Sequence, residues 1–124
     1  MDADELKQRT KKFGLATIKL VESLPPTQTN KVIGNQLLRS ALSVGANYRA
    51  ACQARSKPDF ISKMGIVIEE TDESFHWLDM LCEAGCSKID EIKPLMQEAN
   101  ELTAIFTASS KTAQANLNLR TKAR

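Results

Sequence analysis

The residues of this 124-residue chain that come nearest to a reaction are the acids of one short run, Glu69, Glu70, Asp72 and Glu73, with His76 just beyond. On a helix Glu69 and Glu73 stand one turn apart. Glu73-Ser74-Phe75-His76 also has the Glu-x-x-His spacing with which di-metal helical bundles hold their ions. Such a centre needs a second copy from another pair of helices, and the sequence offers none. His76 is the sole histidine, and general-base work would need a nucleophile and an orienting group beside it. The sequence supplies no such trio. Three cysteines, Cys52, Cys82 and Cys86, form no disulfide framework. Cys52 and Cys82 lie ~25 helical residues apart, or ~38 Å, and Gly85 breaks the helix between Cys82 and Cys86. They read as structural thiols kept reduced. No glycine-rich phosphate loop, paired cysteine set or nucleophile elbow is present. The expectation is a protein that is no enzyme, with no cofactor, no metal and no small-molecule substrate.

Charge pairing accounts for the acids more simply. With a helix-to-helix turn centred near Ser56 and Lys57, Arg39 lies level with Glu73. Arg39 is therefore expected to pair with Glu70 or Glu73 across the second and third helices, fixing their register. The remaining bases suit phosphate. Arg49, Arg55, Lys57 and Lys63 gather around the second helix and the turn, Lys7, Arg9, Lys11 and Lys12 lie on the first helix, and Lys111, Arg120, Lys122 and Arg124 sit near the chain end. With no recognition helix and no aromatic stacking platform, such a surface would neutralise the backbone of RNA or DNA without reading bases. The charge is unevenly spread. Met1 to Lys57 holds ten bases against four acids, Pro58 to Phe106 three against eleven, and Thr107 to Arg124 four against none. Net charges of +6, −8 and +4 can steer an anionic ligand, or let the basic side of one subunit meet the acidic side of another.

These residues need rods to hold them, and the apolar spacing supplies four. Leu6, Phe13, Ala16, Thr17, Leu20, Val21 and Leu24 recur at intervals of three and four, predicting a first helix from Ala3 or Asp4 to Leu24, stopped by Pro25 and Pro26. A second helix follows, with Thr29 or Asn30 as its cap. It carries Ile33, Leu37, Ala41, Val44, Tyr48 and Ala51 beside a face of small residues that includes Gly45. A mid-helix glycine costs about 1 kcal/mol relative to alanine, so close approach of a neighbouring helix is expected there. Ser56, Pro58 and Asp59 are a helix start. The third helix runs to about Ala84 with two apolar stripes. The second stripe, Ile61, Ile68 and Phe75, is wide enough to predict a subunit interface. Ser87 to Asp90 reads as another cap before Ile92, Leu95, Ala99, Leu102 and Phe106, and Pro94 marks the first turn or a short separate one. Residues 115–124 lose the periodicity and gain charge, and so read as a frayed or disordered basic tail behind a bundle of residues 1–114.

The fold class is all-α, an antiparallel up-down-up-down four-helix bundle. Apolar residues make up 42% of the chain, and aromatics 5%, so aliphatic side chains must fill the core. No run approaches the ~20 apolar residues of a membrane span. The charged opening residues hold no signal-peptide core. No membrane partner and a cytoplasmic address are expected.

Three stretches carry a resemblance. They are Gln36-Leu37-Leu38-Arg39-Ser40-Ala41-Leu42-Ser43-Val44-Gly45-Ala46-Asn47-Tyr48-Arg49, then Ala54-Arg55-Ser56-Lys57-Pro58-Asp59-Phe60-Ile61-Ser62-Lys63, and Glu69-Glu70-Thr71-Asp72-Glu73-Ser74 with Trp77-Leu78-Asp79-Met80-Leu81. An Arg-Ser-x-x-Ser-x-x-Ala-Asn run followed by Ser-x-x-Asp-Phe resembles the four-helix-bundle proteins encoded within intervening sequences of bacterial 23S ribosomal RNA genes. The resemblance spans about residues 10 to 110. It implies a homo-oligomeric ring, commonly a pentamer, with no known enzymatic activity. A related branch includes the nucleic-acid-binding accessory protein of diversity-generating retroelements. Asn47 of the first motif joins Arg39, Glu70 and Glu73 as the polar residues expected to tie helices together. Ala50, where a Glu is usual, and Glu69, where a Lys is common, depart from the pattern.

Overall fold

In a computed structural model, which describes residues 1–123, the first three helices begin where a short polar side chain satisfies a free N–H group of the first turn. Asp2 accepts from the Glu5 amide at 2.8 Å and opens α1, Ala3–Ser23. Thr27, not Thr29 or Asn30, caps α2, Gln28–Cys52. Its hydroxyl accepts from the Asn30 amide at 3.1 Å, while the Asn30 side chain turns back to the Pro25 carbonyl at 2.9 Å. Asn30, expected as a possible cap, is thus tied to the preceding loop. Ser56 caps α3, Lys57–Glu83, with Pro58 in the first turn. Asp59 reaches past the cap to the Arg55 amide at 3.3 Å, one residue upstream of a usual capping box.

Gly85 closes α3 at φ +82°, a conformation open to glycine. The Cys86 amide returns to the Leu81 carbonyl and the Gly85 amide to that of Cys82, both at 3.2 Å, which is a Schellman stop. The capping bond expected at Ser87 does not form. α4, Ile89–Ala123, instead starts on the Lys88 carbonyl, which accepts from Ile92 at 3.0 Å. Pro94 lies within α4 as part of one continuous helix. The helix continues through 115–123, where a frayed or disordered tail was expected. Ala115, Leu117, Leu119, Arg120, Lys122 and Ala123 are of types that extend an existing helix at small cost even where nothing packs against it. Arg124 lies outside the described residues.

Connections of four or five residues turn each helix back on the last. α1 packs on α2, α2 on α3, α3 on α4, and α4 closes against α1. The result is the all-α four-helix bundle that the periodicity predicted. Leu37, Val44, Met64, Val67, Leu78, Leu81, Ile92, Leu102 and Phe106 are wholly buried between the helices, each contributing roughly 1.5–3 kcal/mol of transfer free energy. Ala16, counted in the first stripe, is exposed. Small residues let the helices close. A β-carbon on Gly45 would stand 3.3 Å from the Thr10 hydroxyl of α1, and one on Gly14 3.3 Å from Leu42 of α2. The approach expected from Gly45 is that of α1. Between α2 and α3, Ser40 and Ser74 are fully buried with their hydroxyls 3.2 Å apart.

Candidate nucleic-acid interface

The antiparallel order brings the start of α1, the α2–α3 turn and the end of α4 to one end of the bundle. At 1.5 Å per residue the 35-residue α4 is about 52 Å long and the 27-residue α3 about 40 Å. The last turns of α4 therefore project beyond the turn. Between that projection and the α2–α3 turn lies a cleft of about 390 Å³, lined by Arg55, Ser56, Lys57, Pro58, Leu117, Arg120 and Thr121. Three of the expected phosphate-binding residues, from two parts of the chain more than sixty residues apart, meet there. None of the lining residues is acidic. The positive end of the α3 dipole opens at the same place. The arrangement is suited to holding a phosphate; it presents no nucleophile with an adjacent base.

The other expected phosphate ligands separate. Lys63 is taken by Asp59, at 2.7 Å and 2.9 Å to its two carboxylate oxygens. That ion pair, and behind it the Arg55 amide, hold the Asp59 carboxyl below the usual carboxylate range. Arg49 lies apart from the cleft, in a groove between α1 and α2 with Lys7 and Lys11. Lys111 and Lys122 are exposed on α4. Arg124, expected in the same set, falls outside the described residues.

Among the inter-helix polar residues, Arg39 does what the register required. It bonds Glu70 at 3.4 Å and pairs with Glu73, whose carboxylate also accepts from the Trp77 indole at 3.1 Å. Asn47 does not bridge helices through its side-chain amide, which donates to the Ser43 carbonyl of its own helix at 2.8 Å. Sequence reasoning misses two ties. One is the Ser40–Ser74 contact, whose signal is the small-residue face. The other is Arg9, expected among the phosphate ligands but in fact forked onto Glu98 of α4 with two bonds of 2.7 Å and a third contact to Glu101 at 3.5 Å. The Glu98 bond raises the Arg9 pKa further.

The expected interface residues Ile61, Ile68 and Phe75 lie half-buried on the flank of α3 opposite Glu70 and Glu73. Ile68 and Phe75 pack against the core of their own chain. Apolar side chains more open to solvent lie elsewhere: Leu15, Leu42, Ile66 and Met80 are 54%, 48%, 43% and 42% exposed. Cys52, Cys82 and Cys86 are free thiols. Among the described residues no group of three or more His, Cys, Asp or Glu could hold a metal ion, and no helix is long and apolar enough to cross a membrane.

Residues 4–108 match the family described as 23S rRNA-intervening sequence protein. The fold is similar to a crystal structure of a protein with unknown function from the S23 ribosomal protein family of Bacteroides thetaiotaomicron. The TM-score is 0.81 and the identity 29%, over 90% of this chain and 99% of that one. Among curated proteins none matches.

Proposed function

The chain belongs to the 23S rRNA-intervening sequence protein family, and from that premise we propose that it is a non-catalytic, ring-forming protein of the bacterial cytoplasm that holds nucleic acid by its phosphates. The observation that carries this reading is the cleft of Arg55, Lys57 and Arg120. Among the described residues none of the three takes part in an ion pair, so their charge is available to a ligand. Each phosphate they neutralise releases condensed counterions, which favours binding regardless of sequence. A ring, commonly of five copies, would present several such clefts and raise a weak contact by avidity. The family's link to ribosomal RNA genes favours structured RNA as the first ligand to try.

The test is fluorescence anisotropy with a labelled RNA hairpin at rising salt, for the native chain and the Arg55→Ala/Lys57→Ala/Arg120→Ala variant. The native protein should bind at low salt and release steeply as salt rises. The variant should bind about tenfold more weakly or worse, each lost phosphate contact lowering both affinity and salt slope. Absence of binding at low salt, or equal binding by the variant, overturns the reading.

A second reading, a structural or protein-interaction module with no nucleic-acid role, is favoured by the other basic group. Lys7, Lys11 and Arg49 surround apolar side chains, a combination better suited to protein than to phosphate. Assembly together with a 260/280 nm absorbance ratio typical of bare protein after purification would select it.

A further inference from the structure

We infer that the groove between α1 and α2 is a docking site for the outer face of α3 from a second copy of this chain, giving a head-to-tail contact. The inference rests on the assembly reading above and names the two surfaces that would make it. Both carry exposed apolar side chains with opposite charges beside them.

The groove has a volume of about 360 Å³. Its walls are Leu15 and Ile18 of α1 and Leu42 of α2, and its base is made of small residues, Gly14, Gly45 and Ala46. Lys7 and Lys11 on one side and Arg49 on the other stand at the end nearer the α2–α3 turn. Among the described residues none of these three cations has an ion-pair partner. Leu15 and Leu42, about half exposed beside unpaired cations in one groove, suit a protein contact better than a solvated face.

The complementary surface is the solvent side of α3. Ser62, Ile66, Glu69, Glu73, His76, Met80 and Glu83 follow one another at intervals of four and three, a single straight seam along the helix. Ile66 and Met80 are its exposed apolar knobs, 14 residues or about 21 Å apart. Glu69 and Glu83 on the seam, and Asp72 beside it, are exposed or nearly so and pair with no cation among the described residues. A helix with that seam can lie between the ridges of two others as helices do inside bundles. Its acids then meet the groove's bases, and its apolar knobs meet Leu15, Ile18 and Leu42. The two patches differ and sit on different helices, so each copy uses one of each. A contact of this kind closes into a ring when its rotation permits.

Charge exchange tests it. Lys11→Glu/Arg49→Glu makes the groove acidic, and Glu69→Lys/Asp72→Lys makes the seam basic. All four positions lie at the surface, so both variants should keep native helicity and Trp77 fluorescence. Size-exclusion chromatography with light scattering should show the native chain assembled and each variant alone reduced to the 13.7 kDa protomer. A chain carrying all four changes should assemble again, since its acidic groove accepts the basic seam of the next copy in a ring of any number. The Arg55→Ala/Lys57→Ala/Arg120→Ala variant should assemble like the native chain. Assembly of either charge variant alone, or failure of the four-residue variant to recover it, overturns the inference and leaves the nucleic-acid reading standing. A monomeric native chain removes this contact and the ring together.

Discussion

Two arginines show what residue-level reasoning reaches. The pairing of Arg39 is legible because a short turn joins its helix to that of its partners, so counting back from Ser56 gives the register. Arg9 and Glu98 are joined by no such turn: they sit on the first and last helices, 89 positions apart, and nothing local fixes how α4 closes on α1. The fork between them is half-sheltered, with 23% and 25% of the two side chains exposed, and its two-bond geometry is the stronger kind of ion pair. Solvent screening still limits it. A double-mutant cycle with Arg9→Ala and Glu98→Ala, read by urea unfolding, should give a coupling of about 1 kcal/mol; a value near zero would mean that packing alone closes the square. Tyr48 offers a second check, because it is the only tyrosine. It packs against Phe106 with ring centroids 5.2 Å apart and is 5% exposed. Burial first, and the Cys52 thiol second, push its pKa up, so the folded state holds a proton that the unfolded chain loses near pH ~10. Its contribution to stability is complete below that pH and is lost as pH rises through the folded value. The tyrosinate band should stay absent through the ordinary titration range and emerge only with the change in Trp77 fluorescence on unfolding. Asp59 works in the opposite direction. Its lowered pKa means that its stabilisation holds above the usual carboxylate range and fades as pH falls through the folded value. Asp59→Asn should therefore lower the urea midpoint at neutral pH and make little difference in strong acid.

At the level of the helices, stripes of three and four are legible because a helix buried on one side must repeat at the period of its own turn. The same logic fails where no side is buried. Past Ala113, α4 has no buried residue among those described, so the stripe ends although the helix does not. Amides of 115–123 should exchange with solvent within the fastest class in a hydrogen-exchange experiment, while those around Leu102 and Phe106 report global unfolding. Glycines divide by what lies above them. Gly65 sits in the middle of α3 with nothing within 4 Å of where a β-carbon would stand, whereas a β-carbon on Gly34 would meet Val21 at 3.0 Å. Gly65→Ala should therefore raise stability by about 0.8 kcal/mol, the full helix-propensity gain. Gly34→Ala should gain less or lose, because Val21 of α1 must move. Equal effects in urea titrations would show that α1 has room to shift. The half-burial of Ile61, Ile68 and Phe75 has a related cause. A wide stripe on a bundle helix can be covered by its own neighbour, and sequence spacing cannot tell a sister helix from a sister chain.

Across the whole molecule, chain order makes electrostatics directional. The antiparallel path brings the basic turn and the basic end of α4 together, beside the acidic first turn of α1, and leaves the acids of α3 on its flank. A net charge of only +2 conceals this, which is why composition alone understates the cleft. One protomer offers Arg55, Lys57 and Arg120 to a phosphate backbone, so log affinity should fall with log salt at a slope of about −2 for single-stranded RNA, if each cation neutralises one phosphate. A ring that engages two clefts on the same molecule should roughly double that slope. The groove variant Lys11→Glu/Arg49→Glu separates the two contributions, because it dissolves the proposed assembly while leaving every cleft residue in place. Measured on an RNA long enough to reach neighbouring clefts, the native slope should be about −4 or steeper, and that of the variant should return to about −2. Matching slopes would mean that each RNA touches a single cleft whatever the assembly. Avidity would then have no part in recognition, and the ring would need a different physical purpose.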